Sequence, residues 1–365
     1  MTHHPTRSPL TRRDFLRTAA LVGGAVALSP LLDACTGDEP GTPGGSIATE
    51  SQPATPTPMP TLPPPDGRVA FVRTEDRAEG VRRAIELIAP PSLAGRSVFL
   101  KPNYNSDDPA PGSTHPDVLR ALVGLLQEDG AGSITVGDRS GMGDTRAVME
   151  NLGVFEMADE LGFDTVVFDE LDYDSWPWFQ PEGSHWQQGF HVAQPCLEAD
   201  ALIQACCLKT HQYGGHFTLS LKNSVGMVAK KVPGDPHNYM NELHDTDHQR
   251  RMIAEINATY APALVVMDGV EAFVDRGPAR GKRVSSQVVL AGTDRVALDA
   301  VGVAILRHFG TTPDVSRGAV FDQQQIARAA RLGLGVDGPE HVEFITGDPE
   351  SEAYAEQIRQ QLIAG

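Results

Sequence analysis

Apolar positions along this chain switch repeatedly between two periods. RVAFVRT (68–74) is a short β-rich run, and AEGVRRAIELIA (78–89) spaces its apolar residues as a helix does. SVFLKPN (97–103) reads as a strand ending in polar residues. HPDVLRALVGLLQEDG (115–130) reads as a helix, with Pro116 near its first position and Gly130 just past its end. SITVGDRSGMGD (133–144) is a strand running into a glycine loop, and TRAVMENLGV (145–154) begins the next helix. DTVVFDE (164–170) and ADALIQACCLK (199–209) are further strands. DHQRRMIAEINATY (247–260) is helical and ALVVMDGVEAF (263–273) is a strand. SQVVLAGTDRVALDAVGVAILRHFG (286–310) is strand, tight turn and helix. Short β runs alternating with helices predict an α/β fold, a mostly parallel sheet with helices on both faces.

One segment breaks the rhythm. The stretch near 169–192 holds all three Trp of the chain, together with Pro177, Pro181 and Gly183. It reads as a small aromatic-rich excursion, either a satellite core or a lid over a ligand.

The region before residue 68 has neither period. Thr11-Arg12-Arg13-Asp14-Phe15-Leu16-Arg17 precedes a modest Gly/Ala-rich apolar run and resembles a twin-arginine export signal. Leu32-Asp33-Ala34-Cys35 resembles a lipobox, with Cys35 the lipidated residue; the alternative is a plain cleaved signal with an incidental Cys35. Residues 36–66 are rich in Pro, Thr, Gly and Ser and cannot bury a core. The expected organisation is a lipoprotein signal peptide at 1–34, a lipid-anchored stalk at 35–67 and a single α/β domain at 68–365. The expected address is the outer side of the cytoplasmic membrane, with membrane contact through the lipid anchor only.

Charge and cysteine content narrow the chemistry. The formal net charge is -18 over 365 residues, which disfavours a nucleic-acid partner because phosphate backbones need a basic face. A small anionic ligand is not excluded, since it senses the field of a cleft. Beyond Cys35 only Cys196, Cys206 and Cys207 remain, with no C-x-x-C pair, so a four-cysteine iron–sulfur or zinc site is excluded. Cys206-Cys207 in an apolar run reads as two buried thiols on opposite faces of a strand.

In open α/β sheets, ligands bind beyond the carboxyl ends of the strands. The polar residues that follow the apolar runs are therefore the candidates. They are Lys101 and Asn103; Asp138 and Arg139; Lys209 and His211; Asp268; Asp294 with Asp299 one turn on; and Lys222-Asn223. The chain has six Lys against 24 Arg, and three of the six Lys stand in this set. Such placement suggests convergence on a negative ligand. Lys101 could instead pair with a carboxylate, and Asp138-Arg139 and Asp144-Thr145 could be turn and cap chemistry. GDRSGMGDTR has a phosphate-loop flavour without a Walker or dinucleotide pattern. His211 and His216 flank Gln-Tyr-Gly-Gly and could hold a divalent metal with Asp268 or Asp138; His216 could equally be a hydrogen-bonded loop residue. His115 is read as helix-start packing or a pocket residue. His237, His244 and His248 lie around a helix start.

LKTHQYGGHFTLSLKNSVGMV, the earlier Lys-Pro-Asn, LHDTDHQ, VVMDGVEAF…RGPARG and AGTDRVALDAVG together resemble the Domain of Unknown Function 362 family, from about residue 68 to about 335. The resemblance implies a domain boundary and a choice of motifs, but no reaction. Members often carry ferredoxin-type modules, which implies redox company, and this chain lacks the cluster cysteines.

The expected function is that of an enzyme taking a small anionic substrate or cofactor. Lys209, His211 and Asp268 would be catalytic. Lys101, Asn103, Asp138, Arg139, Lys222, Asn223, Asp294 and Asp299 would bind the ligand. A non-catalytic solute-binding lipoprotein closing two hinged lobes, and a redox-associated protein, are the alternatives.

Overall fold

The computed structural model describes residues 55–364. The twin-arginine and lipobox motifs, Cys35 and the first part of the expected stalk lie outside these residues.

The strands are β1 (Arg68–Arg73), β2 (Ser97–Lys101), β3 (Ser133–Asp138), β4 (Asp164–Val167), β5 (Trp178–Phe179), β6 (Phe190–His191), β7 (Ala201–His211), β8 (His216–Thr218), β9 (Leu264–Arg276), β10 (Gly281–Gly292) and β11 (Glu343–Ile345). The helices are α1 (Arg77–Ile88), α2 (Pro116–Asp129), α3 (Thr145–Asn151), α4 (Val154–Leu161), α5 (Pro195–Glu198), α6 (Ser220–Asn223), α7 (Tyr239–His244), α8 (Gln249–Ile256), α9 (Arg295–His308), α10 (Pro313–Ser316), α11 (Gln324–Arg331) and α12 (Pro349–Ala364).

Nine strands form one sheet in the order β11-β1-β10-β9-β7-β2-β3-β4, with β8 returning along β7. Five of its eight pairings are parallel, so the mostly parallel α/β expectation holds. Register aligns Leu100 of β2 with Ile203 of β7, and Cys206 of β7 with Met267 of β9.

Alternation along the strands supplies two apolar faces. Val98, Leu100, Val136 and Ile203 pack with Val81 of α1, and with Leu119 and Leu122 of α2. On the other face Met267, Leu290 and Leu208 meet Val301 and Ile305 of α9 and Ile358 of α12. The ring of Phe71 meets Tyr354 of α12 edge-on, 5.2 Å between centroids. Fully burying a side chain of this size contributes about 1.5–3 kcal/mol.

Helix ends follow the residues present. His115 caps α2 by accepting the Asp117 N–H, Pro116 stands at the first position and Gly130 closes the helix in a left-handed conformation. Asp144 caps α3 by accepting the Ala147 N–H. Two of the open alternatives thus resolve to capping.

The aromatic excursion is a two-stranded hairpin of β5 and β6. Trp176, Phe179, Trp186 and Phe190 form a third apolar cluster with Phe99, Phe168, Met252 and Ile256. It is a satellite core. Of the expected stalk, residues 55–67 have no regular structure and run against the body. The Thr57 N–H donates to Trp178 O at 2.7 Å, and Leu62 packs on the apolar core and lines a groove with Leu264 and Leu334.

Two departures from the sequence reading move side chains. β10 runs antiparallel to β9. Its C-terminal end therefore lies at the opposite rim from the ends of β2, β3 and β7. β9 runs on to Arg276, a little past the expected end at 273, so Asp268, taken for a strand-end residue, lies in mid-strand; its pairing to β7 has a bulge between Cys207 and Lys209.

Candidate functional site

Three strand ends and one short helix bring the scarce lysines together. β2 ends on Lys101, followed by Pro102-Asn103. β3 ends on Asp138. β7 carries Lys209 and His211, and the hairpin at 212–215 turns the chain into β8 and then α6, which carries Lys222 and Asn223.

The first part of the cluster is a closed hydrogen-bond network. Lys101 Nζ lies 2.8 Å from Asp138 Oδ1, and it donates to Pro102 O at 2.6 Å and to Asn223 Oδ1 at 3.3 Å. All three ammonium protons thus have partners. Asp138 also accepts the N–H of Tyr104 and of Arg139, each at 2.7 Å. Asn223 Oδ1 accepts a second bond from Asn103 Nδ2 at 3.3 Å, and Asn223 Nδ2 donates to Lys101 O at 3.2 Å. Asn103 Oδ1 accepts from Lys209 Nζ at 2.8 Å, and Lys209 also donates to Gly112 O. Lys101 and Lys209 are 1% and 0% exposed. Ion pairs buried this deeply persist only when every proton and lone pair is used. Gly226 closes over the pair, and a Cβ there would stand 2.8 Å from Lys101 Nζ and collide with Asp138 Oδ1.

The second part has the opposite character. Lys222 is 9% exposed. Among the described residues, its ammonium has no hydrogen-bond acceptor and no carboxylate partner. Burial, then the charges of Lys209 and Arg139, bring it down to about 7. His211 lies alongside; burial, then Lys222, His244 and Lys209, lower it well below the usual imidazole range. His211 Nδ1 accepts the Tyr213 N–H at 3.3 Å, so the neutral ring carries its proton on Nε2. His244, at the end of α7 with Nδ1 on Met240 O, is likewise lowered by lost hydration and by Lys222. Gly215 lets the hairpin approach this group: a Cβ there would lie 2.7 Å from Lys222 Cε and 3.1 Å from His211 Nδ1. The Gly-Gly pair between the two histidines therefore has a steric cause.

The remaining candidates stand elsewhere. Arg139 is buried beside the cluster, but its guanidinium donates to Val228 O, Ser140 O and Val225 O and stitches loops together. The glycine loop after it is turned on itself, since Ser140 Oγ accepts the N–H of Gly143 and Asn105 O accepts that of Met142. The expected phosphate loop is thus internally satisfied.

Asp268, expected to be catalytic, pairs with Arg77 Nε at 2.8 Å. It sits opposite Cys207, four residues short of His211, about 13 Å at strand rise. It was taken for a rim residue although it lies inside the strand. Asp294, expected to bind ligand, is at the opposite rim because β10 is antiparallel. It caps α9 by accepting Val296 N–H and Ala297 N–H, each at 2.9 Å, and lines an apolar groove of about 610 Å³ with Leu62, Leu264 and Leu334. Asp299 touches no lysine. Its carboxylate holds α6 by accepting Ser220 N–H at 2.7 Å and Leu221 N–H at 3.2 Å. Burial, opposed by these bonds, raises it to about 7.

His216 is the cross-strand partner of His211. Neither Asp268 nor Asp138 joins them, and among the described residues no group of three or more His, Cys, Asp or Glu is placed to hold a metal. The expected metal site is corrected accordingly. Cys196, Cys206 and Cys207 are free, buried thiols raised by burial.

His244 was not singled out for this site by sequence reasoning. Nothing in the local pattern around it points to Lys222, which it approaches through tertiary packing.

A model of the family described as Domain of unknown function (DUF362) matches residues 98–304, a span holding every residue of the cluster. The thylakoid-associated protein sll1697 of Synechocystis sp. is 30% identical over 220 residues, 58% of this chain and 64% of the relative's length. The chain thus spans less than two thirds of that relative. Among solved structures, the lactate racemase apoprotein from Thermoanaerobacterium thermosaccharolyticum aligns at 14% identity with a TM-score of 0.35, over 63% of this chain and 55% of that one. No argument is drawn from so slight a likeness.

Proposed function

The chain belongs to the DUF362 family, a domain of unknown function, and we propose that this member takes a small anionic substrate or cofactor at the Lys222 ammonium. One observation carries the reading: a lysine 9% exposed, without an acceptor, stands beside Lys209 and Arg139. An uncompensated buried cation is unfavourable, and a bound anion removes the penalty. Lys101 cannot serve, because Asp138 already neutralises it. His211, neutral and with Nε2–H, is the acid–base group beside the ligand.

The single continuous sheet speaks for an enzyme-like cleft at a strand rim and against two hinged lobes closing on a solute. Export by the twin-arginine route and anchoring through Cys35 belong to the same proposal, supported by the residues at 11–17 and 32–35. Among the described residues no helix is long and apolar enough to cross a membrane. Mass analysis of protein isolated from membranes checks the anchor through a lipid-modified Cys35.

The pocket is tested by thermal unfolding with inorganic phosphate and with acetate. The folded protein should gain stability with at least one of them, and Lys222→Met should abolish the gain. An equal gain in Lys222→Met, or none in either protein, contradicts the reading.

A further inference from the structure

We propose that Lys222 is a nucleophilic amine that forms an imine with a small aldehyde or ketone carrying an anionic group. This rests on the anion-binding reading above and names the substrate class of the same pocket.

The argument starts from two neighbouring lysines with unlike surroundings. Burial lowers Lys209 as well, but it donates to Asn103 Oδ1 and Gly112 O, and both acceptors favour its ammonium form. Lys222 has no acceptor and is repelled by Lys209 and Arg139. Of the two, Lys222 is the one that gives up its proton. A receptor for plain anions gains by keeping its lysine charged, whereas burial and the nearby Lys209 and Arg139 withdraw the charge from Lys222. A neutral, buried amine in a positive field is the arrangement that activates lysine toward carbonyl carbon. The midpoint near 7 given by burial and the adjacent cations fits this role.

His211 supplies the proton traffic. With Nδ1 accepting from Tyr213 N–H, its Nε2–H is the available donor. The Lys222 Nζ lone pair forms the C–N bond as the carbonyl π pair moves to oxygen. The two protons that nitrogen gives up pass one after the other through the imidazole to the oxygen, which departs as water. One water is released and nothing is oxidised or reduced. The hairpin backbone at Gly215 lies against both Lys222 Cε and His211 Nδ1, which puts the imidazole next to the amine.

The test exposes the folded protein to glyoxylate and cyanoborohydride at neutral pH and maps the reduced adducts by peptide mass spectrometry. The expected result is saturable labelling of Lys222, at least tenfold faster than labelling of the exposed Lys231 and Lys282, and slowed by acetate. Mapping on the wild-type chain does not depend on any variant folding. Lys222→Arg should still be stabilised by acetate and should lose the fast adduct. Labelling of Lys222 no faster than of Lys231 and Lys282 overturns the proposal. If acetate still stabilises the protein in that case, the anion pocket stands and the imine falls. If neither acetate nor glyoxylate has any effect, the anion reading itself has failed.

Discussion

The Asp299 carboxylate accepts a 2.7 Å hydrogen bond from the backbone N–H of Ser220, so that α9 grips the first turn of α6 from below. Ser220 Oγ and the Leu221 N–H add to the grip. Lys222 and Asn223 follow directly in the chain. Asp299→Ala would leave these buried donors unsatisfied, a loss of about 1–3 kcal/mol. It should also weaken anion binding by loosening α6. Asp299→Asn keeps an acceptor and should retain most of both. Urea unfolding and anion titration of the two variants check this.

Lys101 and Lys222 should respond in opposite senses to the same substitution. Lys101→Met leaves Asp138 buried without its cation, a loss of about 3–5 kcal/mol. Lys222→Met removes an unpaired charge and should stabilise the ligand-free protein. Denaturant midpoints of the two variants against wild type decide it. A destabilised Lys222→Met would mean that its ammonium has a partner after all.

The second effect carries a pH signature. The folded Lys222 is lowered to about 7 from an ordinary value of 10.5. Below about pH 7 it is charged in both folded and unfolded chains, and the full penalty of the buried charge is present. Between about 7 and 10.5 the unfolded chain binds the extra proton, so stability rises with pH. The groups facing it are Lys209 and His211 of β7, Arg139 after β3 and His244 of α7. The stability gain of Lys222→Met should therefore be largest below pH 7 and fade as pH approaches the ordinary lysine range. Melting curves of both proteins across that range provide the check.

Gly215→Ala should separate pocket from fold. Its Cβ would press on the flexible end of Lys222 and on the edge of His211. Anion affinity should fall by about tenfold or more, with stability changed by less than about 1 kcal/mol. Gly226→Ala presses instead on the Lys101–Asp138 pair and should cost stability first.

Much of this was legible before any coordinates. Three of six lysines at the ends of apolar runs, and a glycine pair between two histidines, marked Lys101, Lys209, Lys222 and His211 correctly as neighbours, with Asn103, Asp138 and Asn223. Strand direction was not legible: the period of AGTD's strand is the same whether it runs parallel or antiparallel, and Asp294 was sent to the wrong rim. Nor was the role of Asp268: the expected strand at 263–273 enclosed it, yet a polar residue there looks like a strand end until Arg77 is seen to neutralise it. Which lysine is paired and which is free depends on tertiary contacts, because Lys101 and Lys222 have equally polar neighbours in the chain. His244 arrives from α7, at a distance no local pattern encodes.

The central claim is that Lys222 sits buried and uncompensated until an anion arrives. NMR of protein labelled at the lysine ε-carbons observes it directly, since only six resonances are present. One of them, missing in Lys222→Met, should titrate near neutral pH in the free protein and move to higher pH on adding acetate or phosphate. If that resonance titrates with the exposed lysines, or ignores both anions, the account is wrong.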